Sequence, residues 1–166
     1  MRAAWVAVTA GLIGAAAGAM HAATRLDRLH VRTDAAWAAL DAALYRRAVA
    51  ASAVRGYGAL RHTARAAQLA GPSAREDLEN ELGRALSALD RGRLEPACAG
   101  RLADAEQAVV IARRVYNDAV RNTLALRSRR LVRWLRLAGT APLPRYFEIV
   151  EPALPAYGLE LDGAGA

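Results

Sequence analysis

The chain of 166 residues contains 42 alanines, 23 arginines and no lysine, and it carries a formal net charge of +7. This length suits one domain with appendages. Many alanine and leucine residues beside few aromatic ones favour helices over strands. Cys98 is the sole cysteine, which excludes an intrachain disulfide and a cysteine-cluster metal site.

The N-terminal segment 3–24 contains 22 residues and no formal charge. At 1.5 Å per residue, a helix of this length crosses a hydrocarbon core of about 30 Å. The segment is therefore predicted to be a transmembrane anchor. A cleaved signal peptide, and hence a secreted helical protein, is the alternative, because Arg2 supplies a short basic region and Ala17-Gly18-Ala19 is similar to a cleavage site.

The charges that flank this segment predict its orientation. Arg25, Arg28 and Arg32 follow it closely, whereas Arg2 and the terminal amine precede it. By the positive-inside rule, the protein is expected to cross the cell membrane once, with the rest of the chain in the cytoplasm.

Apolar spacings of three and four residues predict the helices that follow. The first is expected from an N-cap at Thr33 to about Ala70. A kink is expected at Arg55-Gly56-Tyr57-Gly58, because each interior glycine costs about 1 kcal/mol relative to alanine. Its inward positions are Trp37, Leu40, Leu44, Ala48, Ala51, Val54 and Gly58.

Two further helices are predicted after Gly71-Pro72. Ser73 and Glu76 are expected to form a capping box for the second, which stops near Arg91-Gly92 and turns Leu78, Leu82, Ala85 and Leu89 inward. The third is expected from about Arg101 to Gly139. Its inward positions, Leu102, Ala105, Val109, Ala112, Tyr116, Ala119, Thr123 and Leu126, alternate in a way typical of antiparallel bundles.

The predicted architecture is all-α. Residues 25–138 are expected to form an elongated antiparallel three- to four-helix bundle, preceded by one N-terminal transmembrane helix. The prolines in residues 139–166 predict an extended, partly disordered tail, with Tyr146 and Phe147 as its bulky anchors.

The third predicted helix contains the unusual block RRVYNDAVRN at residues 113–122. Asn117 and Asp118 are poor helix-interior residues, because their side chains compete for backbone hydrogen bonds. Tyr116 is expected in the core, with Asp118 beside Arg114 and Arg121. Asn117 lies four residues after Arg113. We interpret the block as a structural charge network.

Three stretches and this block resemble the LemA family. IARRVYNDAVRNTLALRSRRLVRW contains the family's Arg-Arg and Tyr-Asn pairs at Arg113, Arg114, Tyr116 and Asn117, with Asp118 following. VRTDAAWAALDAALYRRA, NELGRALSAL and PRYFE are similar to its first helix, second helix and C-terminal region. The resemblance implies a membrane-anchored helical bundle without an established enzymatic activity, whose partner is an unidentified protein of the cell envelope.

The sequence contains no recognisable catalytic or cofactor-binding pattern. The histidines at 21, 30 and 62 form no metal-binding motif. Glu76, Asp77, Glu79 and Glu81 are expected at a solvated helix start, where negative charge suits the helix dipole. We therefore expect a non-enzymatic scaffold or interaction protein without a cofactor, of undetermined oligomeric state.

An alternative function rests on the arginine-rich segment 113–136, which holds eight arginines and one aspartate. Such a stripe binds anionic lipid or another polyanion, or is covered by the acidic tail. Nucleic acid is disfavoured, because few aromatic residues accompany the arginines. The residues expected to contact lipid are Arg127, Arg129, Arg130, Arg133, Trp134 and Arg136, with Trp134 on an apolar face.

Overall fold

The computed structural model describes residues 1–129 and 142–150. In this part of the chain the protein is helical, with four α-helices, one short 3₁₀ turn and an extended C-terminal segment. The helices are α1 (Arg2–Ser52), α2 (Gly58–Gln68), α3 (Arg75–Ser87) and α4 (Pro96–Arg127), with the 3₁₀ turn at Arg91–Arg93. The prediction of a helical bundle is confirmed.

Helix α1 continues through the position where a helix start was expected. Thr33 is not an N-cap: its hydroxyl donates a hydrogen bond to the Leu29 carbonyl oxygen at 2.8 Å, one turn back in the same helix. Such a bond satisfies the hydroxyl inside a helix. The predicted kink is a complete break, because Gly56 adopts φ +84°, a left-handed conformation that glycine takes readily.

Helices α3 and α4 also begin where local signals did not place them. Ala74 precedes α3 without a side-chain cap, so the expected capping box does not form. Helix α4 begins at Pro96 rather than near Arg101, with proline in the first turn, where its missing N–H costs nothing. The predicted end of this helix at Gly139 lies outside the described residues.

The four helices pack with alternating directions. Leu26 of α1 packs against Leu126 of α4, and Trp37 against Tyr116, so these two long helices are antiparallel. One apolar cluster joins α1, α4 and residues of the tail, and a second joins α1, α2, α3 and the start of α4. The buried positions of the third predicted helix are Leu102, Val109, Tyr116, Ala119, Thr123 and Leu126, while Ala105 and Ala112 are half-buried.

A buried ion pair ties α3 to α1. An Arg47 guanidinium nitrogen lies 2.6 Å from Glu79 Oε2 and donates to the Glu79 carbonyl oxygen at 3.2 Å; both side chains are nearly inaccessible. The solvated position expected for Glu79 is therefore wrong. Burial raises the pKa of Glu79, and the neighbouring Arg47 and Arg75 oppose that rise. A similar pair forms where Arg91 donates two hydrogen bonds to the buried carboxylate of Glu106.

The N-terminal part of α1 extends away from the bundle. Leu26 is the first buried residue of the chain among those whose burial is described, and the large side chains of Trp5, Val6, Ile13 and Met20 are exposed. Within the described residues, no helix combines the length and apolar character that crossing a membrane requires.

Candidate functional site

The candidate site is the groove between α3 and α4 in which the tail segment 142–150 lies. This segment is extended, and its backbone is hydrogen-bonded by side chains from both helices. We call this the tail groove. The sequence pattern predicted an extended tail, but not its binding site.

Asn117 of α4 holds the centre of the tail by a pair of hydrogen bonds. Its Oδ1 accepts from the Phe147 backbone N–H at 3.0 Å, and its Nδ2 donates to the Phe147 carbonyl oxygen at 3.2 Å. This is the pattern by which a neighbouring β-strand would pair with Phe147. A primary amide suits this position because it carries both a donor and an acceptor.

Three more hydrogen bonds extend this contact in both directions. The Tyr116 hydroxyl donates to the Arg145 carbonyl oxygen at 2.8 Å. On the other side of the groove, Asn80 Oδ1 accepts from the Val150 N–H at 2.8 Å, and Glu76 Oε1 accepts from the Glu148 N–H at 3.2 Å. Glu76, expected to cap its own helix, thus binds the tail instead.

Two apolar side chains of the tail enter the protein core. Phe147 is 3% exposed and Ile149 is 9% exposed, and they lie in one cluster with Tyr116. The Trp37 ring contacts both Tyr116 and Phe147, with centroid distances of 5.3 and 5.7 Å. Since Tyr146 is exposed, only one of the two predicted anchors is buried.

Tyr116 combines a core position with a polar function. Its placement on the inward side of α4 is confirmed, at 8% exposure. Burial raises the pKa of its hydroxyl, with smaller contributions from the negative charges of Glu76 and Asp34. The hydroxyl therefore remains a hydrogen-bond donor to the tail at neutral pH.

An open cavity of about 550 Å³ remains beside the bound tail. Helix α3 contributes Asn80 and α4 contributes Arg113 and Asn117 to its lining; the tail contributes Tyr146, Glu148, Ile149 and Val150. The cavity thus presents amides and one arginine next to the carboxylate-bearing face of the tail.

The remaining residues of the 113–122 block have different surroundings. Arg114 is exposed, and Asp118 forms an ion pair with Arg121 at the surface, as expected from their spacing. Arg113 is half-buried and lines the cavity. The block therefore combines a surface ion pair with a tail-binding surface formed by Tyr116 and Asn117.

The arginine-rich stripe is described only in part. Arg127 donates to the Pro142 carbonyl oxygen at 3.0 Å, and Arg129 is exposed. Arg130, Arg133, Trp134 and Arg136 lie outside the described residues, as do residues 151–166 of the tail. Because Leu26 packs against Leu126, this end of α4 lies beside the arginines that follow segment 3–24.

No family model, curated protein or solved structure matches this chain. The functional argument therefore rests on the site itself. In residues 1–129 and 142–150, no three histidine, cysteine or acidic side chains converge as metal ligands would. The arrangement presents donors and acceptors to a peptide backbone together with pockets for two apolar side chains, and those groups serve binding.

Proposed function

We propose that the protein is a non-enzymatic, membrane-anchored scaffold of the cell envelope, with its helical bundle in the cytoplasm, and that it resembles the LemA family. One observation carries the proposal. The segment without formal charge at 3–24 continues directly into the bundle through α1, yet its large apolar side chains are exposed. A lipid bilayer covers such a surface in the way that a protein core covers a buried helix.

Membrane retention is tested by placing a charge in the segment. Ile13→Arg puts a cation where the bilayer centre is expected, which costs about 2.5–3.5 kcal/mol in insertion measurements. Val31→Arg is the matched control, because Val31 is also exposed on α1 but lies after the segment. We expect the unaltered chain and Val31→Arg to resist alkaline carbonate extraction from membranes, and Ile13→Arg to be released.

Two results would oppose the anchor. Extraction of the unaltered chain by carbonate would remove it, and a mature N-terminus near residue 20, measured by intact mass, would establish the cleaved signal peptide instead. Orientation is tested with a membrane-impermeant thiol reagent at Cys98, which is half-buried. Cytoplasmic placement predicts labelling after permeabilisation only.

A second candidate function is binding of anionic lipid headgroups by the arginine-rich stripe. The position of the α4 terminus beside Arg25 and Arg28 favours it, because both sets of arginines then lie at the end of the bundle nearest segment 3–24. Each basic residue near an anionic surface contributes about 1 kcal/mol.

Vesicle flotation tests this candidate in the full chain. We expect binding to phosphatidylglycerol vesicles to exceed binding to phosphatidylcholine vesicles, and Arg129→Gln/Arg130→Gln/Arg133→Gln to remove most of the difference. Removal of three exposed arginines elsewhere, at positions 61, 65 and 101, controls for net charge. Equal losses in both triple variants would attribute the effect to total charge rather than to the stripe.

A further inference from the structure

The tail groove recognises a peptide mainly through its backbone. All five hydrogen bonds that Tyr116, Asn117, Glu76 and Asn80 make with the tail engage backbone N–H or carbonyl groups. Every residue except proline presents these groups. Such bonds therefore fix the extended conformation and the register of a peptide while reading little of its sequence.

Selectivity comes from the two buried side chains. In an extended chain, alternate side chains point to the same face, so Phe147 and Ile149 enter the core while Glu148 faces away from it. The groove thus accepts an aromatic residue followed, two positions later, by a branched aliphatic residue.

The third element of selectivity is charge. Arg113 and Glu148 line the same cavity, where an arginine side chain meets the acidic residue that separates the two apolar anchors. The cavity of about 550 Å³ also leaves room beside that residue for a larger side chain than the tail provides.

We propose that the tail groove binds an extended segment of a partner protein with the pattern aromatic–acidic–branched aliphatic, and that the chain's own tail is an intramolecular occupant of this site. The bound tail supplies the chemistry of the partner, because it has this pattern and satisfies the groove. This inference rests on the proposed scaffold function and adds the class of partner. Tethering gives the tail a high effective concentration, so the partner segment competes with it.

The test measures binding of a fluorescent synthetic peptide with the sequence of residues 142–150 to the full chain in detergent micelles, by anisotropy. In Phe147→Ser/Ile149→Ser the tail lacks both anchors, so we expect the peptide to bind at least about tenfold more tightly than to the unaltered chain. Adding Asn117→Ala should weaken this binding by about tenfold, whereas adding Asn122→Ala, an exposed asparagine on the same helix, should not.

Further arms keep the outcomes distinct. A peptide with serine at both anchor positions should not bind, and glutamine in place of its glutamate should bind more weakly. If the double variant loses its helical circular dichroism, Ile149→Ser alone takes its place, with a smaller expected gain. A folded variant that fails to bind the peptide, or binds it independently of Asn117, overturns the proposal. A dimer held by exchanged tails would assign the groove to a second copy instead. None of these results depends on membrane extraction, which tests the scaffold proposal separately.

Discussion

Replacing Asn117 by alanine is the most direct perturbation of the tail groove. The change removes hydrogen bonds of 3.0 and 3.2 Å and leaves the N–H and carbonyl groups of Phe147 without those partners. At about 0.5–1.5 kcal/mol for each bond, docking of the tail should weaken by about 1–3 kcal/mol. This corresponds to a change of about 5- to 150-fold in the docking equilibrium.

Hydrogen exchange of the tail measures this equilibrium, because the tail can open without unfolding of the helices. We expect the amide protons of Phe147 and Val150 to exchange faster in Asn117→Ala by that factor, while the amides in the middle of α1 keep their protection. Asn122→Ala should exchange like the unaltered chain. Asn117→Asp retains an acceptor and loses the donor, so its effect should be intermediate or larger if its charge repels the Phe147 carbonyl.

Equal tail protection in Asn117→Ala, Asn122→Ala and the unaltered chain would refute the assignment of Asn117 as the tail-binding residue. A uniform loss of protection across α1 and α4 would also contradict it, because Asn117 would then support the whole bundle rather than the tail.

The other predictions concern the core, the pH response and the surface. Glu79→Ala should lower the free energy of unfolding by about 3–5 kcal/mol in chemical denaturation, because it leaves the buried Arg47 guanidinium without its partner, whereas Arg47→Met/Glu79→Leu should recover most of that loss. A large loss in the double variant would show that the charges themselves are required. Raising the pH above 10 should destabilise the protein through Tyr116: its folded-state pKa is raised, so the unfolded state ionises first, and stability falls up to the folded pKa. Tyr116→Phe should show a smaller alkaline decrease in melting temperature, and an equal decrease would assign the effect to other groups. Asp118→Ala should change the free energy of unfolding by less than about 1 kcal/mol, since its ion pair with Arg121 is exposed; a loss of several kcal/mol would mean that the pair has a structural role.

The helical architecture followed from the sequence because helix periodicity is a local property. The inward positions of α4, including Val109 and Tyr116, recur every three or four residues, and the same spacing identified Leu40 and Leu44 of α1. Tertiary packing determined the boundaries. Thr33 resembles a cap in sequence, but its hydroxyl bonds within α1 and meets the Thr123 hydroxyl at 3.1 Å.

The tail groove could not be predicted in the same way, because its partners lie far apart in the chain. Asn117 and Phe147 are separated by 30 positions, and Asn80 and Val150 by 70. A local signal did exist: an asparagine in mid-helix beside an inward tyrosine is unusual, and the tail carries alternating apolar residues at Phe147 and Ile149. Neither signal indicates the other. The burial of Glu79 was missed for the same reason, since its partner Arg47 belongs to α1.

The continuity of α1 has a mechanical consequence. Its 51 residues form a rod about 75 Å long, and Trp37 on this rod touches both Tyr116 and the tail residue Phe147. The break at Gly56 lies beyond Trp37, so no loop separates the N-terminal half of the rod from the groove. A rotation or tilt applied to the N-terminal end is therefore transmitted as torque to the aromatic contact that holds the tail, and release of the tail acts back on the rod.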